Sequence, residues 1–218
     1  MAPFKNRRDA GRILAQGLST YGGRSDVIVF ALPRGGVPVA YEVAMALNAP
    51  LDIFLVRKLG LPGQEELAIG AIASGGIRVL NEEIIHALNI PEEVIDLVAC
   101  QELKELRRRE WSYRSDRPPL DAQNKTVILI DDGLATGASM RAAVLGVRAQ
   151  NPARIVIAVP TAPPESYNAL EFQVDEIVCS ITPDPFLGVG KWYEDFSQIS
   201  DEQVRTLLEE ATDQLLRE

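Results

Sequence analysis

The stretch TVILIDDGLATGASMRAAV, Thr126 to Val144, holds the residues with the clearest chemistry: an apolar run ends in two carboxylates and leads straight into a turn of small residues. Side chains at the carboxyl end of a strand project into the crevice where open parallel sheets bind ligands. Asp131 and Asp132 are therefore placed to accept hydrogen bonds from vicinal hydroxyls. Behind them, the amides of Ala135, Thr136, Gly137, Ala138 and Ser139, with two hydroxyls and the positive end of a following helix, suit a phosphate monoester. A diol site and a phosphate site a few residues apart match the two ends of a ribose 5-phosphate unit. A helix-capping Asp pair above an ordinary turn is the plainer reading of these residues alone, and three other segments weigh against it.

In the first, FALPRGGVPVAYEVAMAL, a strand gives way to Leu32 and Pro33, and Arg34, Gly35 and Gly36 lead into a helix near Val37. Glycines let the backbone approach a ligand closely, and amides at a helix start beside a guanidinium suit a pyrophosphate. In the second, LVRKLGLPGQEEL, Arg57 and Lys58 follow an apolar strand, where adjacent cations serve either a ligand or a solvated surface. In the third, SITPDPFLGVGKWYEDF, Phe186 can stack on a flat base or, with Trp192, belong to the core.

The elements that must position these residues follow from hydrophobic patterning. Val- and Ile-rich runs at Asp26 to Ala31, Leu51 to Val56, Thr126 to Ile130, Arg154 to Val159 and Val174 to Ser180 alternate with stretches of helical period. That alternation predicts an α/β fold with a parallel sheet of about five strands flanked by helices. A long helix is expected from about Pro91 to Tyr113. A last helix opens on a Ser200 and Gln203 capping box and aligns Val204, Leu207, Leu208, Ala211 and Leu215 on one face. The glycine-rich segment 57–80 reads as a flexible hairpin or lid rather than core, and 181–197 as a small hood, within a single domain spanning 1–218.

Composition excludes several classes. The 218 residues carry a formal net charge of -9, which repels nucleic acid. Cys100 and Cys179 lie far apart in apolar stretches, suggesting neither a disulfide framework nor a zinc site, and fit a reducing cytoplasm. No apolar run reaches membrane-spanning length, and the charged N-terminus is unlike a secretory signal. His86, the sole histidine, has no G-x-S-x-G elbow to serve and reads as a surface residue. Arg107, Arg108 and Arg109, near a helix carboxyl end, read as a solvated face, with approach to a neighbouring subunit's site as the weaker option.

Together, LPRGG, RKLG, ELAIG and DDGLATGAS resemble the type I phosphoribosyltransferase family over most of residues 10–197. The resemblance implies a glycosyltransferase of the pentosyl class, acting in nucleotide salvage. Such an enzyme moves ribose 5-phosphate from phosphoribosyl pyrophosphate (PRPP) to a nitrogenous base, expected here to be a purine, and releases pyrophosphate. It implies that Arg34, Gly35, Gly36, Arg57 and Lys58 contact the pyrophosphate, that Ala135 to Ser139 hold the 5-phosphate, and that Asp131 and Asp132 hold the ribose. Glu66 would join these two carboxylates in catalysis as a lid closes. Phe186 and Leu187 would meet the base, and Mg2+ would lie near Asp131, Asp132 and Asp195. Homodimers occur in the family. Hypoxanthine-type members carry an acid where this chain has Ala135, and adenine-type members an A-T-G like residues 135–137, so the resemblance leaves the base open. A non-catalytic PRPP- or nucleotide-binding regulator is the alternative.

Overall fold

The computed structural model describes residues 4–114 and 117–216, without the side chains of Glu65 and Glu66. In chain order the strands are β1 (Val27–Ala31), β2 (Leu51–Ile53), β3 (Val56–Leu61), β4 (Gln64–Ala73), β5 (Ile77–Leu80), β6 (Thr126–Ile130), β7 (Arg154–Thr161) and β8 (Glu176–Ile181). The helices are α1 (Arg7–Gly17), α2 (Gly36–Leu47), α3 (Glu82–Ala87), α4 (Glu92–Arg114), α5 (Ala138–Arg148), α6 (Pro164–Glu171) and α7 (Asp201–Leu215). Strands β2-β1-β6-β7-β8 pair in that order, all parallel, into the expected sheet.

Its strands are covered on both faces, as continuous apolar runs require. Alternate residues go to opposite sides: Val27, Val29 and Ala31 pack with Leu14, Val39, Val43 and Leu208, whereas Ile28 and Phe30 pack with Met140, Val144 and Val147. Thus α1, α2, α4 and α7 cover one face and α5 the other. Strand β6 is buried along its whole length between β1 and β7, which fixes the position of the residues that follow it.

Two expectations need correction. The strand foreseen over 51–56 is divided: β2 ends at Ile53, Phe54 N donates to Ala31 O (2.9 Å), and Leu55 N donates to Ser74 Oγ (2.9 Å) as the chain crosses to a second sheet. That sheet is the segment read as a flexible hairpin or lid rather than core: it contains the hairpin, as β3 and β4, but packs into the core. It is an antiparallel three-stranded unit, β3-β4-β5, whose Leu59, Ile69 and Ile72 are fully buried in the core. Its glycines reflect close packing as well as turns. A Cβ on Gly70 would sit 2.4 Å from Val79 O, so a side chain there would push β5 away.

Helix α7 starts as read, with a full capping box between Ser200 and Gln203. Ser200→Ala is expected to cost about 1 kcal/mol, seen as a drop of roughly 2–4 °C in a thermal melt. Among the described residues, no helix is long and apolar enough to cross a membrane.

Candidate functional site

Where β6 stops, two loops meet. Leu32 N, just beyond β1, donates to Ile130 O (2.8 Å), so the loop before α2 lies against the end of β6. The fit is close enough to demand glycine: a Cβ on Gly35 would lie 2.0 Å from Asp132 Oδ2. The Pro33–Arg34 peptide between them is cis.

Asp132 N donates to Asp131 Oδ1 (2.8 Å). The carboxyl of Asp131 is pushed well above the ordinary carboxylate range, first by burial and second by the charge on Asp132. Burial raises Asp132 too, but Arg7 opposes it by donating from Nε to Asp132 Oδ2 at 2.8 Å. Arg7 is itself buried, 8% exposed, and is held by Ser197 O (2.8 Å) and by the Phe196 ring, 3.8 Å from its guanidinium carbon. Tyr193 donates its hydroxyl to Asp132 O at 2.5 Å. A cation therefore sits behind one carboxylate and leaves the other in need of ligand-borne donors or positive charge.

The loop after the pair opens α5. The first intrahelical bond is Arg141 N to Gly137 O (2.9 Å), so the preceding amides at this helix start lack helical acceptors and suit an anion. Ser166 Oγ donates to Ala135 O (2.6 Å) and pins the loop from α6. Asp131 and Ala135 to Ser139 line one cavity of about 190 Å³. A second cavity, about 110 Å³, lies between Pro33, Arg57, Arg109, Asp131 and Ser139. Asp131, the residues that open α5 and two arginines thus line two cavities that share Asp131 and Ser139.

The phosphoribosyl transferase domain family model matches residues 5–192. The chain belongs to this family. Two Mycobacterium tuberculosis relatives, from two strains and each named "Putative phosphoribosyl transferase", are 43% identical over 211 residues, 97% of this chain and 47% of theirs. The chain therefore spans about half the length of these curated relatives. The crystal structure of the protein TT1426 from Thermus thermophilus superposes with a TM-score of 0.86 at 41% identity, covering 96% of this chain and 99% of that one.

Within this phosphoribosyl transferase domain, the expected site residues divide into two groups. Asp131, Asp132, Gly35, Gly36 and Ala135 to Ser139 come together as read. Arg34 is near them but pairs with Asp201 of α7, Nη1 to Oδ1 3.5 Å, while Arg57 pairs with Glu102 of α4. Lys58 lies beside Arg57 on β3, lining a further cavity with Glu102. Glu66 falls in β4, and its side chain lies outside the described residues.

The hood departs from expectation. Phe186 and Leu187 line neither cavity that holds Asp131; Leu187 is 68% exposed, and Val189 is the hood residue that reaches the pocket, packing over Gly133. Val189 opens a short 3-10 helix, Val189–Trp192, that follows Gly188 at φ 102°. Asp195 does not complete a metal trio with Asp131 and Asp132. It is exposed, accepts from Ser197 N (2.9 Å), and borders a groove on the Arg7 side of the site. His86 is a surface residue as read, near Glu82. Sequence reading missed Arg7 and Tyr193. Arg7 lies 125 positions from Asp132, with no local pattern to connect them.

Proposed function

We propose that the protein is a PRPP-dependent phosphoribosyltransferase that moves ribose 5-phosphate to a nitrogenous base, a purine by preference, and releases pyrophosphate. One observation carries this reading: Asp131, of two adjacent half-buried carboxylates, lines the same cavity as the residues that open α5. With it go nucleotide salvage and a cytoplasmic setting.

In this reading Asp131 and Asp132 bind the ribose diol and stabilise positive charge developing at the anomeric carbon. The amides of Ala135 to Ser139 hold the 5-phosphate, and Arg34, Arg57 and Lys58 receive the departing pyrophosphate. The base enters past Val189, and Glu66 joins the two carboxylates in catalysis. The donor set fits Mg2+ in a limited way. Among the described residues no three His, Cys, Asp or Glu side chains gather as a metal site. From the described residues the protein would thus offer the Asp131 and Asp132 pair, with phosphate and hydroxyl oxygens of the ligand supplying further donors. When bound, the ion neutralises charge on the leaving pyrophosphate.

The test is pyrophosphate release from PRPP with Mg2+ and a panel of nucleobases, alongside calorimetric titration with PRPP. Turnover with one or more bases is expected. Tight binding without turnover across the panel would make the protein a binding regulator, and no binding at all would end the proposal.

A further inference from the structure

We propose that Arg109 of α4 is a third guanidinium of the pyrophosphate site, held in waiting by Glu105 and released to the ligand when it binds. The inference rests on the phosphoribosyl transfer reading above and adds to it a residue from an element otherwise remote from the chemistry.

Placement comes first. Leu106 is fully buried and lines the 110 Å³ cavity, and Arg109, three residues on, lies on the same helical face and lines that cavity beside Arg57, Asp131 and Ser139. Arg34, in the loop before α2, is close enough that both it and Arg109 act electrostatically on the phenol of Tyr113, which donates to Asp201, the partner of Arg34. Two arginines, from β3 and α4, therefore line one small space beside Asp131, and a third stands nearby.

Each has a carboxylate partner: Asp201 for Arg34, Glu102 for Arg57 and Glu105 for Arg109. The Arg109 pairing is the one built to exchange. Arg109 uses only Nε, donating to Glu105 Oε1 at 2.9 Å, and among the described residues its two terminal nitrogens make no hydrogen bond. That leaves the fork of the guanidinium open for a phosphate. Glu105 is also gripped by Arg108, from Nε (2.7 Å) and Nη2 (2.9 Å) to its two oxygens, so it stays paired when Arg109 turns away. Arg108 is the more exposed of the two, 66% against 45%, and serves as the fixed counter-ion. The exchange breaks one exposed ion pair, worth little in water, and forms a forked contact to a multiply charged ligand.

The experiment titrates the full chain by calorimetry, in the presence of Mg2+, with inorganic pyrophosphate and separately with ribose 5-phosphate. For Arg109→Gln, pyrophosphate affinity is expected to fall roughly ten- to hundredfold while ribose 5-phosphate affinity is unchanged. For Glu105→Gln, which frees the guanidinium, pyrophosphate affinity is expected to rise. If Arg109 only braced α4, both variants would lose the same ion pair and change in the same direction, which overturns the inference. Unaltered pyrophosphate affinity in Arg109→Gln, or an equal loss for both ligands, also overturns it. A wild-type protein that binds ribose 5-phosphate but not pyrophosphate sinks this inference and spares the sugar-phosphate site; one that binds neither ligand sinks both readings.

Discussion

Asp52→Ala is expected to destabilise the fold by about 3–5 kcal/mol, the range for removing one partner of a buried ion pair. Asp52 and Arg114 are 6% and 7% exposed and meet at 2.7 and 3.0 Å through the arginine Nε. The carboxylate also accepts from Ile53 N (2.7 Å) and Leu120 N (3.1 Å), and Arg114 donates onward to Ile53 O (2.7 Å). This cluster joins the end of α4 to β2 and to the chain leading into β6, so it sets where both Arg109 and Asp131 stand. Alanine leaves a buried guanidinium with Glu110 (3.1 Å) as its charged partner among the described residues and strips two amides of their acceptor. At this chain length the loss corresponds to roughly 6–20 °C in melting temperature. Asp52→Leu combined with Arg114→Met should recover much of it, because the desolvation cost of both charges disappears together. A single variant that melts within a degree of the wild type would show that the pair contributes nothing net.

How far the sequence exposed this architecture depends on the range of the interactions. The five-stranded sheet was legible because continuous apolar runs and helical patterning are local, and β6 ends where its apolar run ends, at Ile130. The loop that joins β6 to α5 was legible for the same reason: Asp131 to Ser139 is one contiguous segment. The second sheet was not. Glycine frequency in 57–80 suggested flexibility, whereas Gly70 answers to a backbone carbonyl of β5 that only tertiary structure brings near. Arg7 and Tyr193 were invisible because their partner, Asp132, is distant in sequence and they bind it from opposite ends of the chain. Arg109 was hidden by its neighbours. Three consecutive arginines at a helix end describe a solvated face, and only the burial of Leu106 shows that one of them turns inward.

Asp131→Asn is expected to raise stability while it weakens PRPP binding about ten- to hundredfold, the loss of charge-assisted contacts to the ribose hydroxyls. The opposition follows from the electrostatics of the pair. The folded protein holds the Asp131 carboxyl above the value near 3.9 of an unfolded chain, through burial and the charge on Asp132. Between those two values the native state binds more protons than the unfolded state, so stability falls as pH rises through the window. Above the raised value the full penalty of the buried charge is in place. Arg7 relieves Asp132, to which it is bonded, more directly than Asp131. An uncharged amide removes the penalty, for a gain of about 0.5–2 kcal/mol at neutral pH. Denaturant midpoints measured on both proteins from acid to neutral pH should show a gap that is small near the unfolded carboxylate value and widens as pH rises. A variant less stable than the wild type at neutral pH would mean that Asp131 is stabilised by contacts rather than strained by burial. Retained PRPP affinity would remove this carboxylate from the binding site. The expected combination, tighter folding with weaker binding, is what a site that keeps two adjacent carboxylates for a ligand should show.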